Sequence, residues 1–341
     1  MRALLALPVL VAALGTAVGA AARGTVCRWT VMLDRPGPQL VAVAAISDRN
    51  VWAVGSTADH GVILHWDGHG WWPSVSPVFP IDVAASSPRD VWIVGTSGTA
   101  VTHAQSEHWN GSSWTLRPVP GGPGSYLAGL TTPSSGAWAV GADARGPLVV
   151  RWTGRAWLAV RTTPSDGILR SIDRGWAVGT VGVSKPRGFE DPLVEHLVRG
   201  RLEIAKTPSV DSVDENLLDV DAVAAGDVWA VGTENVLGRS SPLVQRLQSG
   251  VWLDEAVNGL PQTKTSLLGV AAFGANDVWV AGYQGISPQR TVIAHWDGAH
   301  WTQSLSRAGQ LADLSALSRH DIWAVGGSTG RSLIQHYACS S

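Results

Sequence analysis

Val51-Trp52-Ala53-Val54-Gly55 is the phrase that decides the fold, because it returns six more times with its tryptophan at Trp92, Trp138, Trp176, Trp229, Trp279 and Trp323. The spacing runs from 38 to 53 residues. A period in the forties with strand-like residues in every unit is the signature of a β-propeller. One repeat shows the grammar. Residues 41–47 form a small-residue first strand, Asp48-Arg49-Asn50 turns the chain, and residues 51–55 form the second strand. A polar loop leads to a third strand over 62–66. Asp67-Gly68 then makes a tight turn, and Trp71 opens a fourth strand that ends near Pro77. Repeat six reads the same way, through Asp277-Val278-Trp279, His295-Trp296-Asp297-Gly298 and Trp301.

The second strand is apolar on both alternating faces, whereas a half-buried strand alternates polar with apolar. Trp52 and Val54 face one way, Val51, Ala53 and Gly55 the other, as a strand sandwiched between two neighbouring blades requires. The seven tryptophans are therefore core, each expected to lie over the small Ala and Gly of an adjacent blade. First strands carry small residues such as Ala42, Ala44 and Ala45 because seven of them converge on one axis.

Repeat seven stops just after its third strand (residues 333–337), while Cys27-Arg28-Trp29-Thr30-Val31 precedes repeat one and Trp29 matches Trp71 and Trp301. The expected fold is thus all-β: a seven-bladed β-propeller of four-stranded antiparallel blades, the last blade closed by the N-terminal strand. Such closure removes free sheet edges. Aligned on the repeat, Cys27 and Cys339 fall at neighbouring positions of one turn, and a disulfide between them is expected.

Residues 1–22 read as a signal peptide: Arg2, an apolar run over 3–14, then small residues with cleavage near Ala20 or Ala22. The propeller domain is expected over 23–341, secreted and monomeric, with no membrane insertion after cleavage. Val26 before Cys27 argues against a lipid anchor. The net charge of −2 gives no reason to expect a nucleic-acid partner. Twenty-two arginines against three lysines suggest a GC-rich bacterial genome.

The Asp-Val-Trp-Ala-Val-Gly phrase followed by His-Trp-Asp-Gly-x-x-Trp resembles the repeats of secreted actinobacterial-type propellers, loosely similar to kelch-like and tectonin-like blades. The resemblance covers about Cys27 to Ser341. It implies lectin, adhesion or scaffold roles and, occasionally, enzymes, so it speaks to fold more than to chemistry. A kelch diglycine occurs only at Gly326-Gly327.

His65, His108, His196, His295 and His336 share one third-strand position, which Arg151 and Arg246 fill in two other repeats. Equivalent positions in different blades are too far apart to bind one metal ion, so a repeated structural hydrogen bond is expected. Asn50, Asp90, Asp227, Asp277 and Asp321 precede the second strand and read as turn residues that bond to backbone amides. Asn110-Gly111-Ser112 fits a glycosylation sequon and equally a hairpin turn.

The sharper candidates for ligand binding are one register of the first strand, read as Ala42, Asp82, Gly129, Arg170, Asp219, Gly269 and Asp313. This would set Asp82, Asp219, Asp313 and Arg170 at the mouth of the ring. The competing reading is that each carboxylate accepts amide bonds from the neighbouring blade. The loops between second and third strands of repeats four to six (180–191, 233–241 and 283–290) read as long and should share a face with that mouth. They carry Lys185, Arg187, Glu190, Asp191, Glu234, Asn235, Arg239, Tyr283, Gln284 and Arg290. No Ser–His–Asp signature, phosphate loop or metal-spaced His/Cys group is present; no catalytic residue, metal or cofactor is expected. The leading function is a non-catalytic binder of a glycan or extracellular protein through the loop-bearing face. The alternatives are a polysaccharide-acting glycosidase or lyase using the mouth carboxylates, and a scaffold without a small ligand.

Overall fold

The computed structural model describes residues 26–98, 100–162, 166–182, 189–304 and 307–340. Residues 1–22, read above as a signal peptide, and Lys185 and Arg187 lie outside the described residues. The described chain is all-β, in seven four-stranded antiparallel sheets. Blades 1 to 6 span residues 40–76, 78–118, 126–159, 168–205, 214–254 and 265–303. Blade 7 takes three strands from residues 310–340 and its outer strand from Val26–Pro36.

The N-terminal strand pairs with Arg331–Ser340, aligning Trp29 with Tyr337 and Cys27 with Cys339. The two cysteines form a disulfide with Cα atoms 3.9 Å apart. They face each other across paired strands rather than around a turn, because both strands run past the point where other blades make their hairpin.

The second strands are buried on both faces, as their double apolar pattern requires. Trp52 and Val54 pack in one cluster with Val83, Val91 and Ile93 of blade 2, whereas Val51 and Ala53 pack with Trp323 and Val325 of blade 7. The phrase tryptophans pack with small residues of the next blade, as expected for alanine: Trp92 clusters with Ala139, Trp279 with Ala324 and Trp323 with Ala53. Trp52 clusters with Val83, Val91 and Ile93 of the next blade and meets Trp114 edge-on at 5.5 Å.

The phrase glycine answers to its own blade. Each first strand carries a bulge, seen as a register shift between Leu40 and Ala42, Pro80 and Asp82, or Leu217 and Asp219, and likewise in the other four blades. The bulged chain presses against the second strand. A Cβ on Gly232 would lie 1.8 Å from the Asn216 carbonyl oxygen, and one on Gly282 1.9 Å from that of Ser266. Only glycine permits the approach.

The histidine and aspartate positions, read separately from sequence, prove to be partners. His108 Nε2 lies 2.8 Å from Asp90 Oδ1, His295 2.8 Å from Asp277, His336 2.7 Å from Asp321, and His65 3.1 Å from Asn50 Oδ1. These acids therefore do more than shape a turn. The same imidazoles stack on the phrase tryptophans, His65 on Trp52 and His336 on Trp323, both at 4.0 Å. In blade 5 Arg246 takes the histidine's place, 4.9 Å over Trp229. Asn110 Oδ1 accepts the Ser112 and Ser113 amides, so the sequon is a hairpin turn.

Candidate functional site

The first strands line a central channel. Its waist carries Ala42, Asp82, Gly129, Ser171, Asp219, Gly269 and Asp313, the residues that follow each bulge and pair with the same second-strand position. Arg170 is corrected by one place: it is the bulge residue of blade 4, equivalent to Val41 and Leu218, and Ser171 holds the register position. Alternation alone could not show this, because a bulge inserts one residue without changing the apolar pattern around it. Arg170 nonetheless lines a small cavity of about 180 Å³ together with all three aspartates.

The three carboxylates are fully engaged. Asp82 Oδ1 accepts the Val83 amide at 2.7 Å, and Oδ2 accepts the Leu130 amide of blade 3 at 2.6 Å. Asp313 accepts the Leu314 amide at 2.7 Å and the Val43 amide of blade 1 at 2.8 Å. Asp219 accepts the Ser171 hydroxyl of blade 4 at 2.7 Å and the Val270 amide of blade 6 at 2.8 Å. Each acid thus bonds across a blade junction, which is the clamp reading. Burial, with mutual repulsion across the channel, pushes Asp82 and Asp313 up to about 8 and raises Asp219 well above the usual carboxylate range.

Sequence reading missed a second layer one turn of the pleat deeper. Asp221 accepts the Ala272 amide at 2.8 Å, Asp173 the Ala222 amide at 3.1 Å, and Ser315 Oγ the Ala45 amide at 3.0 Å. Arg174 Nη1 donates to the Ala222 and Val223 carbonyls, both at 2.6 Å. Burial, reinforced by Asp173, raises Asp221 to about 6. The signal was present: Asp219 and Asp221 are two apart and so share one face of their strand. Asp173 was hidden by its place just before Arg174-Gly175.

The two ends of the channel differ. The 180 Å³ cavity opens toward the loops between second and third strands, since the bulges lie at the start of the first strands. A larger space of about 770 Å³, lined by Thr131, Asp173, Arg174, Asp221 and Phe273, opens on the opposite, turn-bearing face. The cavity that holds Asp82, Arg170, Asp219 and Asp313 thus shares a face with the loops between second and third strands, while the wider space lies at the other end. Not all the expected loops are long: in blade 5 the strands extend to Val236 and resume at Arg239. In blade 6 they run to Gln284 and resume at Arg290.

The remaining candidates are dispersed over the loop-bearing rim. Glu190 is tied to blade 5, its amide donating to Asp214 Oδ1 at 3.0 Å. Tyr283 sits in a strand paired with Ser266 and Thr291. Arg239 is exposed at the start of its strand. None of the three lines the channel waist. The rim also exposes apolar tips, including Leu237 and Ile286.

No protein-family model matches the chain, and no curated protein does. Solved propellers do. A structure of YCF48 bound to a D1 peptide aligns with a TM-score of 0.60 at 17% identity, covering 91% of this chain and 96% of that one. The WD40 propeller of Doa1 gives 0.58 at 12%, covering 92% and 97%. An ulvan lyase of polysaccharide lyase family 25, bound to a GlcA–Rha3S unit, gives 0.60 at 11%, covering 91% and 96%. At these identities the likenesses establish a β-propeller fold and leave its chemistry open.

Proposed function

We propose that this protein is a secreted, monomeric, non-catalytic propeller that binds an extracellular glycan or protein through its loop-bearing face. The observation that carries this reading is the engagement of Asp82, Asp219 and Asp313. Both oxygens of each acid are held by neighbouring main-chain or hydroxyl donors, most of them across a blade junction. A carboxylate that locks blades together is poorly placed to serve as nucleophile or proton shuttle, because either role would break the lock. Binding then falls to side chains carried on the rigid ring by its rim loops. Export fits the single disulfide, a bond that persists in oxidising compartments. No helix among the described residues is long and apolar enough to cross a membrane. Among the structural neighbours, one carries a peptide and another a glycan unit, two ligand classes that this scaffold accommodates.

The test is to screen the exported protein against an array of glycans and peptides and to map the contact by hydrogen exchange. Protection of the rim loops without shortening of any polysaccharide is expected. Depolymerisation of a glycan, abolished by Asp82→Asn in a folded variant, would overturn the reading in favour of an enzyme.

A further inference from the structure

At the junction of blades 6 and 7, on the loop-bearing face, a cavity of about 380 Å³ is lined by Asp34, Arg290, Arg307, Ser328 and Arg331 above Gly327. We propose that this cavity is a binding pocket for the anionic group of an acidic glycan, a carboxylate or sulfate carried on a sugar. The proposal rests on the partner-binding reading above and names the ligand class.

The charge is unbalanced. Three guanidinium groups face one carboxylate, a net of about +2 by formal charge (3 − 1). Asp34 holds only one of them: Arg331 donates to its Oδ1 from Nη2 at 2.7 Å and from Nε at 3.1 Å, and to its main-chain carbonyl at 3.3 Å. Neither Arg290 nor Arg307 has an acid within ion-pair distance among the described residues. Two unpaired guanidinium groups beside a third held in a fixed pose form a donor set that lacks its anion.

The backbone beneath them is hydrogen-bonded, which fixes where the two side chains are anchored. The connector between blades is zipped to the third strand of blade 6. The Thr291 amide donates to the Arg307 carbonyl at 2.8 Å, and the Arg307 amide to Thr291 Oγ1 at 2.8 Å. The Gly309 amide donates to the Gln289 carbonyl at 3.0 Å, and Arg290 pairs with Ala308. Gly309 then crosses the blade 7 hairpin so closely that a Cβ there would lie 2.6 Å from the Gly327 carbonyl oxygen. Gly327 is the second residue of the diglycine that ends the phrase of blade 7, and it leaves the cavity floor bare of side chain.

The lining selects a sugar over a peptide. Among the described residues, Ala308 and the buried Leu333 are its only apolar side chains, so the described lining offers little to a greasy peptide anchor. Guanidinium N–H groups, the Ser328 hydroxyl and the Asp34 carboxylate suit a ligand that is polar on every side. The volume lies in the range of small-ligand sites, roughly 300–1,000 Å³.

The test titrates the full exported chain by calorimetry with an oligogalacturonide, a heparin-derived oligosaccharide, neutral dextran and a poly-Glu peptide. At least one acidic oligosaccharide is expected to bind, neutral dextran not, and the affinity to fall as salt is raised. Arg290→Ala and Arg307→Ala should each weaken binding by about tenfold or more, the loss of a charged hydrogen bond. Arg155→Ala, on a hairpin of the opposite face, should leave it unchanged, and the melting temperature of each variant confirms folding. Absence of acidic-sugar binding, or its survival in the Arg290→Ala/Arg307→Ala double variant, overturns the pocket. So does poly-Glu binding as tightly through the same arginines, which would assign it to an acidic peptide. If another ligand still protects the rim loops, the pocket fails and the function reading stands. If none does, both fail.

Discussion

Trp29 meets Trp279 edge to face at 5.8 Å, and this contact between the N-terminal strand and blade 6 repeats around the ring. Trp71 makes it with Trp323, Trp157 with Trp92 and Trp252 with Trp176. In each of these pairs the outer-strand ring packs on the phrase tryptophan of the preceding blade, worth roughly 0.5–1.5 kcal/mol beyond buried area. The N-terminal strand is therefore a structural member of the girdle, and the disulfide holds it there.

Reduction of the Cys27–Cys339 bond should lower the melting temperature of the protein. The bond closes a separation of 312 residues. Chain entropy sets an upper figure of about 5–6 kcal/mol for a loop of that length. Calorimetry with and without reductant checks this; an unchanged transition would show that strand pairing alone closes the ring.

Trp229→Ala should cost about 3–5 kcal/mol, as truncation of a fully buried ring does. Trp92→Ala and Trp279→Ala should fall in the same range, because the repeat buries them alike. Denaturant unfolding of the three variants gives the comparison, and a Trp229→Ala chain as stable as wild type contradicts the interblade packing.

Gly232→Ala and Gly226→Ala should behave oppositely. The first forces a Cβ to within 1.8 Å of the Asn216 carbonyl oxygen, whereas the second meets nothing within 4 Å. Loss of about 3 kcal/mol or more is expected for Gly232→Ala. Gly226→Ala should lie within about 1 kcal/mol of wild type. Equal unfolding midpoints for the two would rule out the bulge as the reason for the phrase glycine.

Asp219→Asn should lower stability by about 1–3 kcal/mol, since an amide cannot accept at both positions that the carboxylate serves. Binding on the loop-bearing face, measured well below the melting temperature, should be retained. The reverse pattern, full stability with lost binding, would return the channel acids to the list of ligand contacts.

The same acids give a pH dependence. Asp82 and Asp313 lie near 8 in the folded ring against an ordinary carboxyl value of 3.8, so between those values the folded chain binds more protons than the unfolded chain. Their contribution is full below the unfolded value and is lost as pH rises through about 8. His65 and His196 are shifted down by burial and act on the acid side, where lowering the pH through about 6.5 removes stability. Above pH 7 the carboxylates decide the slope, and the melting temperature should fall from pH 7 to 9. An Asp82→Asn/Asp313→Asn variant should show a flatter profile; a wild-type profile that rises over that window excludes the raised values.

The sequence by itself determined the blade count, the order of strands within a blade, the borrowed outer strand and the cysteine pair. All of these follow from local pattern: alternation, a turn glycine and a tryptophan repeat within tens of residues. It also marked the histidine and aspartate positions, though as two sets, because their pairing depends on strand register. Only the tertiary structure decided what happens where repeats meet. A one-residue bulge moved Arg170 out of the waist and put Ser171 in it. The acids became clamps because the neighbouring blade offers its amides there, and the wide end of the channel fell on the face away from the rim loops. Asp34 and Arg331 stand 297 residues apart, yet they line one cavity with Arg290 and Arg307. Such contacts are properties of ring closure, which carries distant segments together and leaves no periodic trace in any one of them.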